Sequence, residues 1–439
     1  MRFFCARFYK NVVVIYLSVV FCFAYTTLLG AIPNHIYVCE GEAPELSLQV
    51  PVSVEQKATL KSTAALRQQS ASGNIVSAAE QGGIQPDVET QALFSESVTQ
   101  DVDYVITCKL FGIVPIKEVE VSVISAQSVY ASGRVIGIYG QTDGVLVLKT
   151  SEVLDAQGVR TSPAENKVLP GDYICAANGV PVGTKEALIE AVQQNEEERL
   201  VLTLERKGKS IDVAVEPVCT QDHKYLLGIW VKDDMAGIGT LTYYTREGSF
   251  GALGHGIGDG ETGELLTISE GRVYNMRLLG IQKGENGAPG ELEGIIYYGN
   301  DNYLGSIRTN SSMGIYGELD ERCLENYKNS DACFEIGYMQ QIACDKAYIL
   351  SDISGEIKSY EISIDSVNYQ ATNTNKGIQF HVTDPTLLEL TGGIVQGMSG
   401  SPIIQDGRII GAVTHVLVND PKRGYGIFIE NMLRTVDKY

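Results

Sequence analysis

The chain has 439 residues, which is long enough for two or three domains that each bury a core. Its 34 Lys and Arg residues stand against 54 Asp and Glu residues, and the resulting net charge of −20 disfavours nucleic acid as a partner. Nine cysteines are scattered without a C-x-x-C pair, and this spacing argues against a zinc site. The sequence therefore predicts a protein that uses neither a metal nor another cofactor.

Residues 1–34 have the composition of an export signal. Three basic residues within the first ten are followed by residues 11–34, which carry no formal charge. The positive-inside rule places such an N-terminus in the cytoplasm, and an uncharged run of this length is about right for spanning a bilayer. No A-x-A cleavage site follows residues 29–31. We expect a signal-anchor over residues 1–34; the alternatives are a cleaved signal peptide or a buried helix.

Residues 35–103 combine a short strand-like piece at 35–39 with a long polar stretch. From Ser53 to about Gln100 the chain is rich in Ser, Ala, Gln, Glu and Gly and has little apolar periodicity. Such a composition buries too little surface to offset the entropy of ordering. We expect a flexible spacer here.

Residues 104–218 resemble a PDZ domain with preceding strands. Residues 169–179 read L-x-G-D-x-I-x-x-x-N-G and resemble the turn and hairpin of that family. Residues 185–192 then form an amphipathic pattern capped by Thr184, and residues 200–206 read as a closing strand. The resemblance implies a peptide-binding strand that accepts an extended chain by strand addition, with the alternative that this edge packs against the rest of the protein. The peptide-binding residues expected on this strand are Gly133, Val135, Ile136, Gly137 and Ile138.

Residues 219–439 consist of many short apolar runs separated by glycines, and they end in a short helical pattern at 431–436. This pattern predicts a barrel or sandwich, so the chain as a whole is expected to be mainly β. Within it, residues 397–402 read G-x-S-G-x-P and are followed by the Asp406-Gly407 turn. A chymotrypsin-like barrel presents its nucleophile on such a loop, so residues 219–439 are expected to form a chymotrypsin-like β-barrel serine peptidase domain, although glycine, serine and proline also gather in ordinary turns.

A catalytic Ser399 would need a base and donors for the oxyanion. His255, placed among small residues after a strand-like segment, is the expected base; His415 and His381 are weaker alternatives. The expected oxyanion donors are the backbone N–H groups of Gly397 and Ser399. Asp384 is the expected third member, with a helix N-cap before Pro385 as its alternative role.

Taken together, residues 111–117, the PDZ-like unit, residues 250–256 and residues 391–402 resemble the stage IV sporulation protein B family of signalling serine peptidases. The likeness covers the export segment and nearly everything from residue 104 onward. In that family the catalytic histidine, aspartate and serine would fall on His255, Asp384 and Ser399. Ser132, where a second glycine is expected in the PDZ entry loop, departs from the pattern.

The resemblance implies an exported endopeptidase that is anchored to the forespore membrane or released between forespore and mother cell. It would cleave itself and a regulator of a membrane-embedded metalloprotease, and so trigger processing of a pro-sigma factor. Two other functions fit the sequence. One is a non-catalytic PDZ adaptor, and the other is a general quality-control protease, although in such proteases the peptidase unit precedes the PDZ domain.

Overall fold

The computed structural model describes residues 2–41, 52–57, 104–195, 198–260, 263–370 and 375–436. Within these residues the chain forms 28 strands and five α-helices, so the expected mainly β class is confirmed. The helices are α1 (Arg2–Ala31), α2 (Lys185–Gln193), α3 (Glu321–Ser330), α4 (Pro385–Thr391) and α5 (Ile429–Val436). The chain divides into two compact units. The first contains Met1–Gln127, Tyr338–Ala343 and Val367–Thr372, and the second contains the rest.

The first unit contains α1 and a four-stranded sheet. Its strands are β1 (His35–Cys39), β2 (Val52–Lys57), β3 (Tyr104–Leu110) and β4 (Val114–Ile124), in the order β1-β4-β3-β2. The alternating apolar residues of β3 and β4 build its core; Ile106, Val119 and Val121 are fully buried. Lys117 Nζ donates to the carbonyl of Ile32 (2.5 Å), beyond the C-terminus of α1, where carbonyls lack partners within the helix.

Three sequence expectations fall on this unit. Residues 104–124 were expected beside the PDZ domain, but they pair with β1 and β2 instead. Residues 53–57 of the predicted spacer lie in β2, and residues 58–103 lie outside the described residues. Helix α1 covers most of the predicted signal-anchor. No helix in the described part of the chain is both long and apolar enough to cross a membrane.

The second unit begins with a ladder of six strands that closes on itself. Its members are β6 (Val135–Thr150), β15 (Ile229–Tyr244), β16 (Ser249–Ala252), β21 (Gly314–Leu319), β20 (Tyr303–Ser311) and β17 (Ile268–Tyr274). In that order each strand is antiparallel to the next, and β17 pairs back to β6. The inward side chains, such as Ile136, Leu241 and Phe250, form one core.

The PDZ domain includes one end of each of two of these strands. The end of β6 and the start of β15 leave the ladder as a pair, with Val147 opposite Val231, and enter a second core that extends from Val145 to Leu227. The other strands of this region are β7 (Val153–Leu154), β8 (Arg160–Thr161), β9 (Tyr173–Ala177), β10 (Val180–Pro181), β11 (Leu200–Arg206), β12 (Lys209–Val215), β13 (Val218–Cys219) and β14 (Tyr225–Leu226). The domain is therefore inserted between β6 and β15 rather than placed before the peptidase region.

Local signals in the PDZ sequence take the expected form. Thr184 caps α2 by accepting a hydrogen bond from the N–H of Ala187 (3.2 Å). Asp172 of the G-D motif is buried; its carboxylate accepts both guanidinium bonds of Arg206 (2.6 Å each) and the N–H of Leu169 (2.8 Å). Because a buried carboxylate must be paired, this contact fixes the turn before β9.

A second set of strands carries the serine loop. It comprises β22 (Cys333–Ile336), β23 (Lys346–Ser351), β24 (Lys358–Val367), β25 (Ile378–Val382), β26 (Pro402–Gln405), β27 (Arg408–Leu417) and β28 (Asp420–Phe428). The pairing runs β24-β23-β26-β27-β28-β25, and the carbonyl of Glu361 on β24 accepts the N–H groups of Thr383 and Asp384, just after β25.

Two further features complete the second unit. A hairpin of β18 (Met276–Gln282) and β19 (Glu291–Ile296) lies near β6. The strand β5 (Ser128–Ala131) pairs with both β15 and β22, and β22 pairs in parallel with β27. The two strand sets therefore belong to one hydrogen-bonded network, which brings segments distant in sequence to one place.

Candidate active site

The serine loop follows α4, which ends at Gly392 in the left-handed conformation. Gly397 and Gly400 have φ of 98° and 97°, a region that favours glycine. The N–H of Gly400 donates to the carbonyl of Val413 on β27 (2.7 Å), and the N–H of Ser401 donates to the carbonyl of Met398 (3.0 Å). The loop is therefore a tight turn fixed to the strand beside it.

Two N–H groups in this loop are left over. Those of Met398, Gly400 and Ser401 all donate to carbonyls, whereas in the described part of the chain those of Gly397 and Ser399 donate to nothing. The carbonyls of these two residues accept hydrogen bonds from Thr240: its hydroxyl donates to Gly397 (2.9 Å) and its N–H donates to Ser399 (2.9 Å). Paired free amides beside a serine hydroxyl are what an oxyanion requires.

The histidine loop follows β16 and begins with a tight γ-turn. The N–H of Gly254 donates to the carbonyl of Ala252 (2.9 Å), and Leu253 between them has φ of 71°. Such a conformation is strained for a residue with a side chain, and strain of this kind clusters at functional sites. The Nδ1–H of His255 donates to the carbonyl of Gly256 (2.9 Å). Since a carbonyl only accepts, the proton sits on Nδ1 and Nε2 is left as a base.

The two loops pack against each other. A Cβ on Gly400 would lie 2.6 Å from the N of Leu253 and closer still to the carbonyl oxygen of Thr240. The hydroxyl of Ser399 donates to the carbonyl of Thr414 (3.0 Å), and the next residue, His415, has its ring centroid 5.4 Å from that of His255. The structure thus brings the predicted serine and histidine segments to one place.

Both imidazoles are held neutral. Burial lowers the pKa of His255, an effect that the Gly256 carbonyl partly opposes. Burial is also the largest cause that lowers the pKa of His415 to about 4, with smaller contributions from His255 and Lys376. Within the described residues the buried Nδ1 of His415 has no hydrogen-bond partner. At neutral pH the site therefore contains a base that is ready to take a proton.

We expect the acid limb of the profile of kcat/KM against pH to lie below the ordinary histidine value of about 6.5. A base must be neutral, and the lowered pKa of His255 keeps it neutral until the pH falls below that value. The folded-state pKa is depressed, so stability from this group is present above about 6.5 and is lost as pH falls through the folded pKa. Steady-state rates with a peptide substrate from pH 4 to 8 measure the limb; an inflection above 7 would contradict the neutral base.

Asp384 does not have the expected place beside His255. Its carboxylate accepts from the N–H groups of Thr386 (2.8 Å), Leu387 (3.0 Å) and Glu361 (3.3 Å), as the N-cap of α4. The Nδ1–H that a triad acid would accept is taken by the Gly256 carbonyl. The capping alternative is thus the one observed, because an aspartate before proline satisfies the orphan donors of a helix start.

The two histidines considered as alternative bases, His381 and His415, have different surroundings. His381 contacts Asp365 (2.7 Å), which also binds Arg423 (2.9 Å), in a partly exposed network of its own. His415 does lie at the site, next to the expected base. Sequence reasoning missed Thr240, Gly256 and Thr414, and no pattern marks them, because each acts through a backbone or hydroxyl contact with a segment distant in sequence.

The expected peptide-binding strand is wrong. Val135, Ile136, Gly137 and Ile138 pair with β15, and Gly137 and Ile138 also pair with β17 on the other side. Gly133 lies in the turn before β6, where a Cβ would meet the backbone of Leu350 at 2.8 Å. Gly137 and Ile138 therefore have a strand on each side and no free edge, and the N–H of Val135 already donates to the carboxylate of Asp352 (2.9 Å), so the segment is not the open strand that peptide addition requires.

An open edge exists at the other end of β15. Within the described ladders Ile229–Val231 pairs only with β6, and a groove of about 330 Å³ separates this edge from α2. Its walls are apolar and include Leu188, Ile189, Val192, Leu226 and Val231. Residues 226–231 read as an ordinary strand in the sequence, and only the position of α2 makes them a groove wall.

Comparison with known proteins agrees with this organisation. The SpoIVB peptidase S55 family matches residues 223–433, which contain His255 and Ser399, and a PDZ domain matches residues 155–206. No curated protein matched the chain. The first match begins at the end of the PDZ core, so it omits β5 and β6, which the structure adds to the peptidase region. Together the two matches support a SpoIVB-type serine peptidase that contains a PDZ domain.

Proposed function

We propose that the chain is a serine endopeptidase with a chymotrypsin-like site, in which Ser399 is the nucleophile and His255 the general base. The observation that carries the proposal is the packing of the Gly400 backbone on Leu253, which sets the serine and histidine loops side by side. The free N–H groups of Gly397 and Ser399 support it as well, because an anionic intermediate needs such donors.

The steps follow from this arrangement. Rotation of Ser399 turns its hydroxyl from the Thr414 carbonyl towards His255 Nε2. Ser399 Oγ forms a bond to the carbonyl carbon of the substrate peptide, and the hydroxyl proton passes to His255. The carbonyl oxygen of the substrate takes the electron pair of the C=O π bond and, as an oxyanion, accepts hydrogen bonds from the N–H groups of Gly397 and Ser399. The C–N bond then breaks as His255 returns the proton to the leaving amine, and water releases the acyl group by the same route. A neutral carbonyl, from Gly256, orients His255, so Ser399 and His255 act as a dyad.

We further propose that the groove between α2 and β15 binds an extended segment of a protein substrate. The unpaired edge of Ile229–Val231 provides backbone groups for strand addition, and the apolar wall of α2 provides contact for side chains. Because β15 continues from this edge into the peptidase ladder, a segment bound there is held on the same strand that supports the site.

The biological setting is proposed from the family. As a SpoIVB-type peptidase, the chain would act after export, on itself and on a membrane-tethered regulator whose cleavage leads to processing of a pro-sigma factor. The insertion of the PDZ domain between β6 and β15 argues against a general quality-control protease, where the domain follows the peptidase. The contact between the loops argues against a PDZ adaptor without catalysis.

The test is N-terminal mass spectrometry of cleavage products. Ser399→Ala protein serves as the substrate and is mixed with catalytic amounts of wild-type, Ser399→Ala or Ile189→Asp enzyme. We expect new N-termini with wild type, none with Ser399→Ala, and the same termini formed about tenfold more slowly with Ile189→Asp, since Ile189 is exposed in the groove. New N-termini from Ser399→Ala alone would overturn the assignment of the nucleophile. An undiminished rate with Ile189→Asp would overturn only the groove.

A further inference from the structure

We propose that Thr240 is a positioning residue that holds the oxyanion hole in its working shape, an inference that rests on the proposed role of Ser399. Thr240 lies on β15 and is fully buried, so it touches no substrate. Its hydroxyl donates to the carbonyl of Gly397 (2.9 Å) and its N–H donates to the carbonyl of Ser399 (2.9 Å). One residue thus holds the carbonyls of both residues that would supply the oxyanion donors.

The chemical reason lies in where these carbonyls point. A carbonyl oxygen facing the developing oxyanion would repel it, so both must be turned away if the N–H groups are to act. Gly397 has φ of 98° and no side chain, and its peptide groups therefore rotate more easily than those of other residues. The peptide group that carries the Gly397 N–H is held by the N–H of Leu292, which donates to the Gln396 carbonyl (2.9 Å). The Thr240 hydroxyl is the contact that opposes rotation of the peptide group that follows Gly397, because among the described residues the Gly397 carbonyl has no other donor.

Thr240 also ties the hole to the base. Its carbonyl accepts the N–H of Leu253 (3.2 Å), the strained residue two positions before His255. Thr240 therefore fixes the serine loop to β15 through its hydroxyl and its N–H, and it fixes the histidine loop to β15 through its carbonyl. Neighbouring positions do not share this arrangement: Thr242 is equally buried and its hydroxyl has no partner within the described residues.

The experiment compares Thr240→Val, which keeps the shape and removes the hydroxyl, with Thr240→Ser, which keeps it. For Thr240→Val we expect kcat on a short peptide to fall about 10- to 100-fold with KM unchanged, the range expected when a catalytic donor is displaced. Thr240→Ser should stay within about threefold of wild type. Thr242→Val is the matched control, and its kcat should not change.

A peptide aldehyde provides the readout that a general loss of structure would not reproduce. Ser399 adds to the aldehyde carbon, and the resulting hemiacetal oxygen sits where the oxyanion forms. Across the variants, the rise in the inhibition constant should equal the fall in kcat/KM. If Thr240→Val fails to fold in a thermal unfolding assay, Thr240→Ala replaces it with the same expectations.

The outcomes separate this inference from the proposed function. Full activity of Thr240→Val, equal losses in Thr240→Ser and Thr240→Val, or unchanged aldehyde affinity despite lost kcat would each overturn the role of Thr240. Retention of cleavage by Ser399→Ala would overturn the proposed function itself, whatever the Thr240 variants do.

Discussion

Ser399→Ala is expected to lower kcat by about 10⁴- to 10⁶-fold, with little change in KM or in thermal stability. In the described part of the chain the side chain makes one polar contact, to the Thr414 carbonyl, so the fold loses little when it is removed. The chemistry loses the atom that would form the acyl intermediate. His255→Ala should cost a similar factor, because a serine without its base is almost as inert as no serine.

The double variant decides whether the two residues act as one unit. Ser399→Ala combined with His255→Ala should be no slower than either single variant, since each already disables the same step. The measurement is single-turnover cleavage of a peptide substrate at high enzyme concentration. If the rate of the double variant falls by the product of the two single losses, the residues act independently. That result would contradict the proposed dyad.

Asp384→Asn is the informative companion to these variants. Asparagine caps a helix about as well as aspartate, so the N–H groups of Thr386 and Leu387 keep an acceptor. With Asp384 in the capping role we expect kcat to stay within about tenfold of wild type. A loss of about 10⁴, the size found when a triad aspartate is replaced, would instead return Asp384 to the triad.

Features that depend on a short stretch of sequence have the predicted local conformation. The turn before β9, the Thr184 cap and the serine loop each depend on a few adjacent residues whose conformational needs are specific. Such features can be predicted because glycine, proline and capping residues act on their own neighbourhood.

Features that depend on pairing across the chain could not be read in the same way. β6 is a single 16-residue strand whose first half belongs to the peptidase ladder and whose last part belongs to the PDZ domain, and nothing in its sequence marks the division. The peptide-binding strand was expected at residues 133–138 from a resemblance in local sequence, and such a resemblance does not distinguish an edge strand from a central one. The role of Asp384 could not be predicted for another reason. In the sequence, an Asp-Pro pair is compatible with a helix N-cap and with a catalytic acid, and only the hydrogen-bond partners of the carboxylate distinguish the two roles.

Gly400→Ala should be the most damaging substitution outside the catalytic side chains. At Gly400, φ is 97°, and an added Cβ would meet the N of Leu253 at 2.6 Å, its Cα at 3.0 Å and the Thr240 carbonyl more closely than either. All three are backbone atoms, which cannot rotate away, so the serine loop must move off the histidine loop. We expect stability to fall by about 2 to 6 kcal/mol and kcat by about 100-fold or more.

Gly407→Ala separates the two causes of this loss. Gly407 has a similar positive φ of 76° in the turn between β26 and β27, but among the described residues no atom other than those of its chain neighbours lies within 4 Å of an added Cβ. Its substitution carries backbone strain alone, about 1 to 2 kcal/mol, and should leave kcat unchanged. Urea unfolding and peptide cleavage of both variants make the comparison. Equal effects at the two glycines would show that the backbone contact between the serine loop and Leu253 does not hold the site together.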